Sequence, residues 1–269
     1  MIRKSLLFLW ATLILAAVGF SQTQSRVPNS AAPLATGTCQ STFTSGNGIT
    51  FLEFCVTVNG NVAEFQSPQG WEHIREGTIS EGYAICDLSN DTRYFDYAEL
   101  GDSGNWNAPV RTQPGGPNTF PLKIARTTAD GFYTLTQTFT RNSADQSANV
   151  SMTLKNNRAV LNEAYLVRFA DIDANSADRG DFQNEFDFGQ DAAWGSNHGL
   201  FGLRMSGKAN FPQFGAFAQN TSVGPDACNP FGLVPATTPF LGDGSAGVYF
   251  SMGFAAGKSQ TVSVEYKPF

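Results

Sequence analysis

Histidine is almost missing from this sequence: His73 and His198 are the only two in 269 residues. With two imidazoles and no Gly-x-Ser-x-Gly turn to expose a serine, hydrolases of the Ser-His-Asp kind have too little to be built from. Both histidines sit near tryptophan, in Trp71-Glu72-His73 and Trp194-Gly-Ser-Asn-His198. They read as hydrogen-bonded structural residues, with a metal site shared with Glu72 or Asp191 as the alternative. Charge is scarce as well, at 15% of residues, and Lys and Arg are nowhere clustered. A polyanion such as nucleic acid is therefore excluded as the main partner, because phosphate binding draws on grouped cations. There is no CxxC pair to suggest zinc, no sustained 3.6-residue period, and no repeat at a fixed interval. What the chain has instead is 27 Gly, 13 Pro and 23 Phe. That composition describes strands joined by many turns, with a surface made polar by Asn, Gln, Ser and Thr.

One long apolar run exists, at the N-terminus. Arg3 and Lys4 precede Leu6 to Phe20, and polar residues follow from Ser21. A basic end, an apolar core and small residues at its close make a secretory signal peptide, here residues 1–19. Without Arg3 and Lys4 the 17 basic residues fall to 15 against 23 acidic ones, a formal charge of −8. The mature chain is expected in an extracytoplasmic space with no integral membrane segment, residues 20–37 forming a flexible tail and 38–269 a single β-sandwich domain. A chain of this length buries roughly three quarters of its extended surface without help. Four cysteines follow, Cys39, Cys55, Cys86 and Cys228. An even number in an exported chain points to two disulfides. Three connectivities are open, and the expected one is Cys39–Cys55 with Cys86–Cys228.

Alternation is clearest at Leu52, Phe54, Val56 and Val58, with Asn59-Gly60 as the turn and Val62 to Phe65 returning, which predicts a hairpin. Extended segments are expected at 78–86 and 93–100, then a long Gly/Pro loop over 101–118. Tyr133, Leu135, Gln137 and Phe139 alternate with threonines; Val150, Met152 and Leu154 form another apolar face; Tyr165, Val167 and Phe169 a third. These three are expected to be successive antiparallel strands. Residues 171–197 read as an irregular acidic stretch, 200–217 as strand, turn, strand, 219–247 as loop, and Val248 to Tyr266 as a terminal hairpin.

Four groups of residues could carry function. The first is Asp171-Ile-Asp173-Ala-Asn175, continued by Asp178 and Asp181. Oxygen side chains at alternate positions can converge on a hard cation when the backbone curls, so this segment is a candidate calcium loop. It lacks the glycine and the closing glutamate of an EF-hand. The second reading of the same segment, with Glu185 and Asp187, is a pair of catalytic carboxylates acting on a glycan. The third group is Trp71, Trp106 and Trp194, which fall in Gly- and Asn-rich turns, where an indole face can stack on a sugar ring. The fourth is the loop over 101–118, whose length is unusual without a binding role.

The segments Val150 to Asn156, Tyr165 to Asp173, the turn Ala256-Gly257-Lys258-Ser259, and Val262 to Tyr266 resemble the supersandwich modules of exported bacterial proteins, including those found beside carbohydrate enzymes. The resemblance implies an antiparallel β-sandwich, export and association with glycan; it carries no catalytic residue onto this sequence. The expectation from the sequence is thus a non-catalytic exported module binding glycan or cell-envelope material. Its alternatives are a carbohydrate-active enzyme using loop carboxylates and a self-assembling surface protein.

Overall fold

The fold follows from strands that each have one face to bury and one to wet. A computed structural model describes residues 38–74, 81–98, 101–142, 144–174, 184–197, 199, 201–210, 213–220, 224–235 and 237–269. The expected signal segment and tail, Asn175, Asp178, Asp181 and His198 lie outside the described residues. In chain order the strands are β1 (Cys39–Ser45), β2 (Leu52–Thr57), β3 (Val62–Gln66), β4 (Glu81–Asp87), β5 (Thr92–Tyr97), β6 (Gly101–Asp102), β7 (Val110–Thr112), β8 (Leu122–Thr127) and β9 (Tyr133–Asn142). They continue as β10 (Ser147–Asn156), β11 (Asn162–Asp171), β12 (Asn184–Phe188), β13 (Ala192–Asn197), β14 (Phe201–Ala209), β15 (Phe214–Gln219), β16 (Phe240–Leu241), β17 (Ser245–Phe254) and β18 (Ser259–Pro268). No α-helix occurs among the described residues; Gly48–Thr50 form a 3-10 turn.

The strands make three antiparallel sheets. A nine-stranded sheet has the order β16-β12-β13-β14-β18-β10-β9-β8-β7, a six-stranded sheet the order β15-β17-β11-β4-β5-β6, and a three-stranded sheet the order β1-β2-β3. Both smaller sheets pack on the inner face of the large one. Tyr94 of β5 meets the Tyr133 ring of β9 edge-on, while Phe65 of β3 stacks on Tyr266 of β18 and Phe43 of β1 on Phe120. The sequence predicts two packed sheets; the third arises because the first hairpin docks between the layers instead of extending either one. Buried Phe, Leu and Val side chains from all three sheets share one core, each contributing about 1.5–3 kcal/mol by burial.

The six-stranded sheet is buried on both faces. Every residue of β4 is buried, and Ala84, Cys86, Val167, Phe169 and Phe217 form a second, smaller cluster with Ala227 on the far side of the sheet. The Pro-rich segment 224–235 covers them. It is held by the Cys86–Cys228 disulfide, by Arg93 bonding Asp226 through Nε and Nη2 at 2.6 and 3.0 Å, and by the Tyr97 hydroxyl donating to the Pro225 carbonyl at 2.6 Å. The other disulfide, Cys39–Cys55, links β1 to its neighbour β2.

Four sequence expectations are corrected. The closing pair β17 and β18 is not a hairpin within one sheet: β17 lies between β15 and β11, and β18 between β14 and β10. The turn at Gly257 crosses from one layer to the other. The link from β10 to β11 crosses in the same way, so only β9 and β10 of that expected trio pair directly. Alternation has the same period in both cases, because a returning strand needs one buried face whichever layer it joins. Finally, the acidic stretch contains β12 and β13, and the long loop over 101–118 contains β6 and β7.

Candidate functional site

The end of β11 is where acidic residues from distant parts of the sequence meet. Asp171, the last residue of β11, pairs in register with Ser245, the first of β17. Beyond it the chain keeps alongside the turn before β17, since the Ile172 N–H donates to the Gly244 carbonyl at 3.3 Å. The Asp173 N–H then donates to the His73 carbonyl at 2.9 Å. Carboxylate oxygens of Asp171, Asp173 and Asp243 all lie within 4.8 Å of one another. Asp171 is buried, Asp173 half-buried and Asp243 exposed, so the cluster opens outward through Asp243. Beside it, the Asn184 Nδ2 donates to the Ile172 carbonyl at 3.2 Å and its own carbonyl accepts from the Gly242 N–H at 2.9 Å. Its buried Oδ1 has no hydrogen-bond partner.

Sequence reasoning found Asp171 and Asp173 but missed Asp243. Asp243 sits alone between Gly242 and Gly244, and nothing local marks it. Glu185 and Asp187 do not join the cluster. They alternate with the buried Phe186 along β12 and so lie on the outer face of the nine-stranded sheet.

The three candidate tryptophans occupy different settings. Trp71 stacks on Phe201 with ring centroids 4.2 Å apart. Trp106 donates its indole N–H to the Phe95 carbonyl at 3.1 Å, meets Tyr83 and Tyr94 edge-on, and has the Arg126 guanidinium 5.0 Å above its ring. Trp194 lies on β13 between Ala193 and Gly195, whose inner sides face the core. Its indole is therefore on the outer face of the large sheet, partly exposed, with Asp187 of β12 and Arg204 of β14 directly opposite in register. The surrounding face is polar: Ser206, Glu265 and Ser263, then Ser151 and Thr153, then Thr136 and Thr138.

A buried ionic junction joins the three sheets. Arg168 of β11 and Glu81 of β4, both fully buried, pair at 2.6 Å. Arg168 also donates to the Tyr266 hydroxyl at 2.6 Å, to Gln137 Oε1 at 2.5 Å and to the Gly60 carbonyl at 3.1 Å, while the Tyr266 hydroxyl donates to Glu81. A second pair, Arg126 with Asp96, is extended by Asp102 at 2.7 Å. Burial pushes the Glu81 carboxyl above its usual range, and Arg168 pulls it partway back. This junction is closed to solvent and ties the layers together. The loop over 101–118 contributes elsewhere, to an open hollow of about 530 Å³ lined by Gln40, Ser41, Arg111, Gln113 and Asn118 with Gly116 and Pro117.

Fold and surfaces together define an antiparallel β-sandwich of the kind that carbohydrate enzymes contain. A bacterial glucoamylase, solved in complex with acarbose, superposes with a TM-score of 0.58 at 11% identity over 88% of this chain and 33% of that chain. This chain thus corresponds to about a third of that enzyme's length. A putative aldose 1-epimerase from Escherichia coli K12 superposes with a TM-score of 0.50 at 11% identity, over 85% of this chain and 99% of that one. At these identities the likeness is one of fold. No protein-family model matches the chain, and no curated protein matches it in sequence. No helix among the described residues is long and apolar enough to cross a membrane.

Proposed function

We propose that this is an extracytoplasmic carbohydrate-binding protein whose contact surface is the outer face of the nine-stranded sheet around Trp194. The observation that carries the reading is the placing of a partly exposed indole on a polar sheet face, flanked by a carboxylate and a guanidinium. An indole offers a flat apolar face for the C–H side of a pyranose ring, and Asp187 and Arg204 supply an acceptor and fixed donors for hydroxyls at its rim. Retardation of the purified protein in gels containing soluble polysaccharides tests it. Trp194→Ala should abolish retardation while leaving the melting temperature within about 1 °C, since a partly exposed sheet residue contributes little to stability. Equal retardation of the variant and the parent would move the binding surface elsewhere.

A second reading, a carbohydrate-active enzyme using loop carboxylates, is favoured by a different observation. The similar folds are those of a glucoamylase and a putative aldose 1-epimerase, and Asp171 and Asp173 meet Asp243 within 4.8 Å. Glycoside hydrolysis requires two carboxyls facing one space, one as acid and one as base or nucleophile. Release of reducing sugar from a polysaccharide panel, lost in Asp173→Asn with the fold intact, would establish it.

A further inference from the structure

We propose that the hollow between β7 and β1 binds an acidic sugar, one that carries a single carboxylate or sulfate group, with Arg111 holding the anion. The hollow lies six strands across the large sheet from the strand of Trp194 and stands independently of the reading given to that face.

Arg111 of β7 is directly opposite Ile124 of β8 in register, and residues paired in this way share a face of the sheet. Ile124 belongs to the core, so Arg111 stands on the inner face, at the edge strand where the core ends. The hollow opens there, walled on its other sides by Gln40 and Ser41 of β1 and by the turn that follows β7. Its volume of about 530 Å³ falls within the range of roughly 300–1,000 Å³ found for small-molecule sites.

Charge and hydrogen bonding define the occupant. Arg93, Arg126, Arg158 and Arg168 each pair with a carboxylate. Arg111 instead donates from Nη2 to the hydroxyl of the buried Ser41 and, at 2.7 Å, to Gln113 Oε1. Gln113 is itself fixed by donating from Nε2 to the Thr119 carbonyl at 2.8 Å. Both acceptors are neutral, so the guanidinium is oriented without being neutralised. Its Nε and Nη1 groups have no acceptor among the described residues, and no residue lining the hollow is acidic. An anionic oxygen placed there accepts charge-assisted hydrogen bonds, about twice as strong as neutral ones. The other polar groups suit hydroxyls. The side-chain amides of Gln40 and Asn118 are exposed and make no hydrogen bond among the described residues, and a carboxamide both donates and accepts, as a sugar hydroxyl does. Pro117 adds an apolar edge for ring C–H groups. One guanidinium in a chain of formal charge −6 holds one anionic group and does not follow the charge run of a polyanion.

The test is calorimetric titration of the full mature protein, at low ionic strength, with the methyl glycosides of glucuronic and galacturonic acid and with glucose 6-sulfate, each beside its neutral parent sugar. We expect one site per chain for at least one of the acids, about tenfold or more tighter than for the neutral parent, and Arg111→Gln should remove that preference. Because Arg111 also ties β7 to β1, Asn118→Ala is the second variant: an exposed substitution outside that tie, it should weaken binding about threefold with the melting temperature unchanged. Trp194→Ala should bind the acid as the parent does, which keeps this site separable from the outer face. Absence of binding by every acid at about 10 mM, a range that reaches the weakest specific sites, would overturn the proposal. Equal binding of acid and neutral parent, unchanged binding by both Arg111→Gln and Asn118→Ala, or loss of the acid in Trp194→Ala would overturn it as well.

Discussion

His73 has no exposed surface, and its Nε2 lies 2.7 Å from the Ser67 carbonyl. Because a carbonyl can only accept, Nε2 carries the proton and the unpartnered Nδ1 holds the lone pair. Burial pushes the pKa down to about 4, the Ser67 bond raising it slightly. With a folded value below the unfolded one, the neutral ring's contribution is fully present above about pH 6.5 and is lost as pH falls toward 4. Two and a half units correspond to about 3 kcal/mol. Asp96 runs the other way. Burial raises its carboxyl to about 6 while Arg126 pulls it down, so its contribution is greatest below about pH 4 and declines as pH rises through 6. The two offset each other in the parent protein. His73→Gln should separate them: relative to the parent, its unfolding free energy should improve by up to about 3 kcal/mol between pH 7 and pH 4. Denaturant melts across that range read the change, and a pH-independent difference would mean that His73 can be protonated without cost.

At the scale of the element, the hairpin β2–β3 was the clearest feature of the sequence, yet its setting was not legible there. Asn-Gly is a turn dipeptide, ordinarily at the surface. Here Asn59 and Asn61 are buried, and Gly60 lies against Gln137 with φ +98, where an added Cβ would come 2.3 Å from Gln137 Nε2. The polar tip is admitted because Arg168, Gln137 and Tyr83 meet its carbonyls. Gly60→Ala should therefore cost about 3 kcal/mol or more, combining a strained backbone with a clash at a packed junction. Arg168→Met tests the same junction from the other side. It should cost about 3–5 kcal/mol by stranding the Glu81 charge, and Glu81→Gln added to it should recover part of the loss. Urea denaturation of the single and double variants measures both effects. The one sequence trace of this junction is an arginine inside the otherwise apolar run Tyr165 to Phe169.

Across the whole molecule, the two disulfides have unequal reach. Cys39–Cys55 spans 16 residues and Cys86–Cys228 spans 142. Loop-closure entropy gives about 3 kcal/mol for the first and about 5 kcal/mol for the second. Replacing Cys86 and Cys228 by alanine should lower stability more than replacing Cys39 and Cys55. It should also release segment 224–235 from the outer face of the six-stranded sheet, which hydrogen exchange of Val167 and Phe169 would register. Similar losses for the two pairs would mean that the covering segment is held mainly by Arg93, Asp226 and Tyr97.

What the sequence determined by itself is local: strand positions, turn positions and the all-β class, because side-chain alternation and turn chemistry act over a few residues. Asp171 and Asp173 belonged to that local record, being neighbours on one strand end. Only the tertiary structure decided which layer each strand joins, since β10 to β11 and β17 to β18 carry the alternation of hairpins while crossing between sheets. It also brought Asp243 to Asp171, set Trp194 outward between Asp187 and Arg204, and placed charges where the three sheets meet. These juxtapositions join residues far apart in sequence, and a period-two pattern holds no information about which distant strand will be its neighbour.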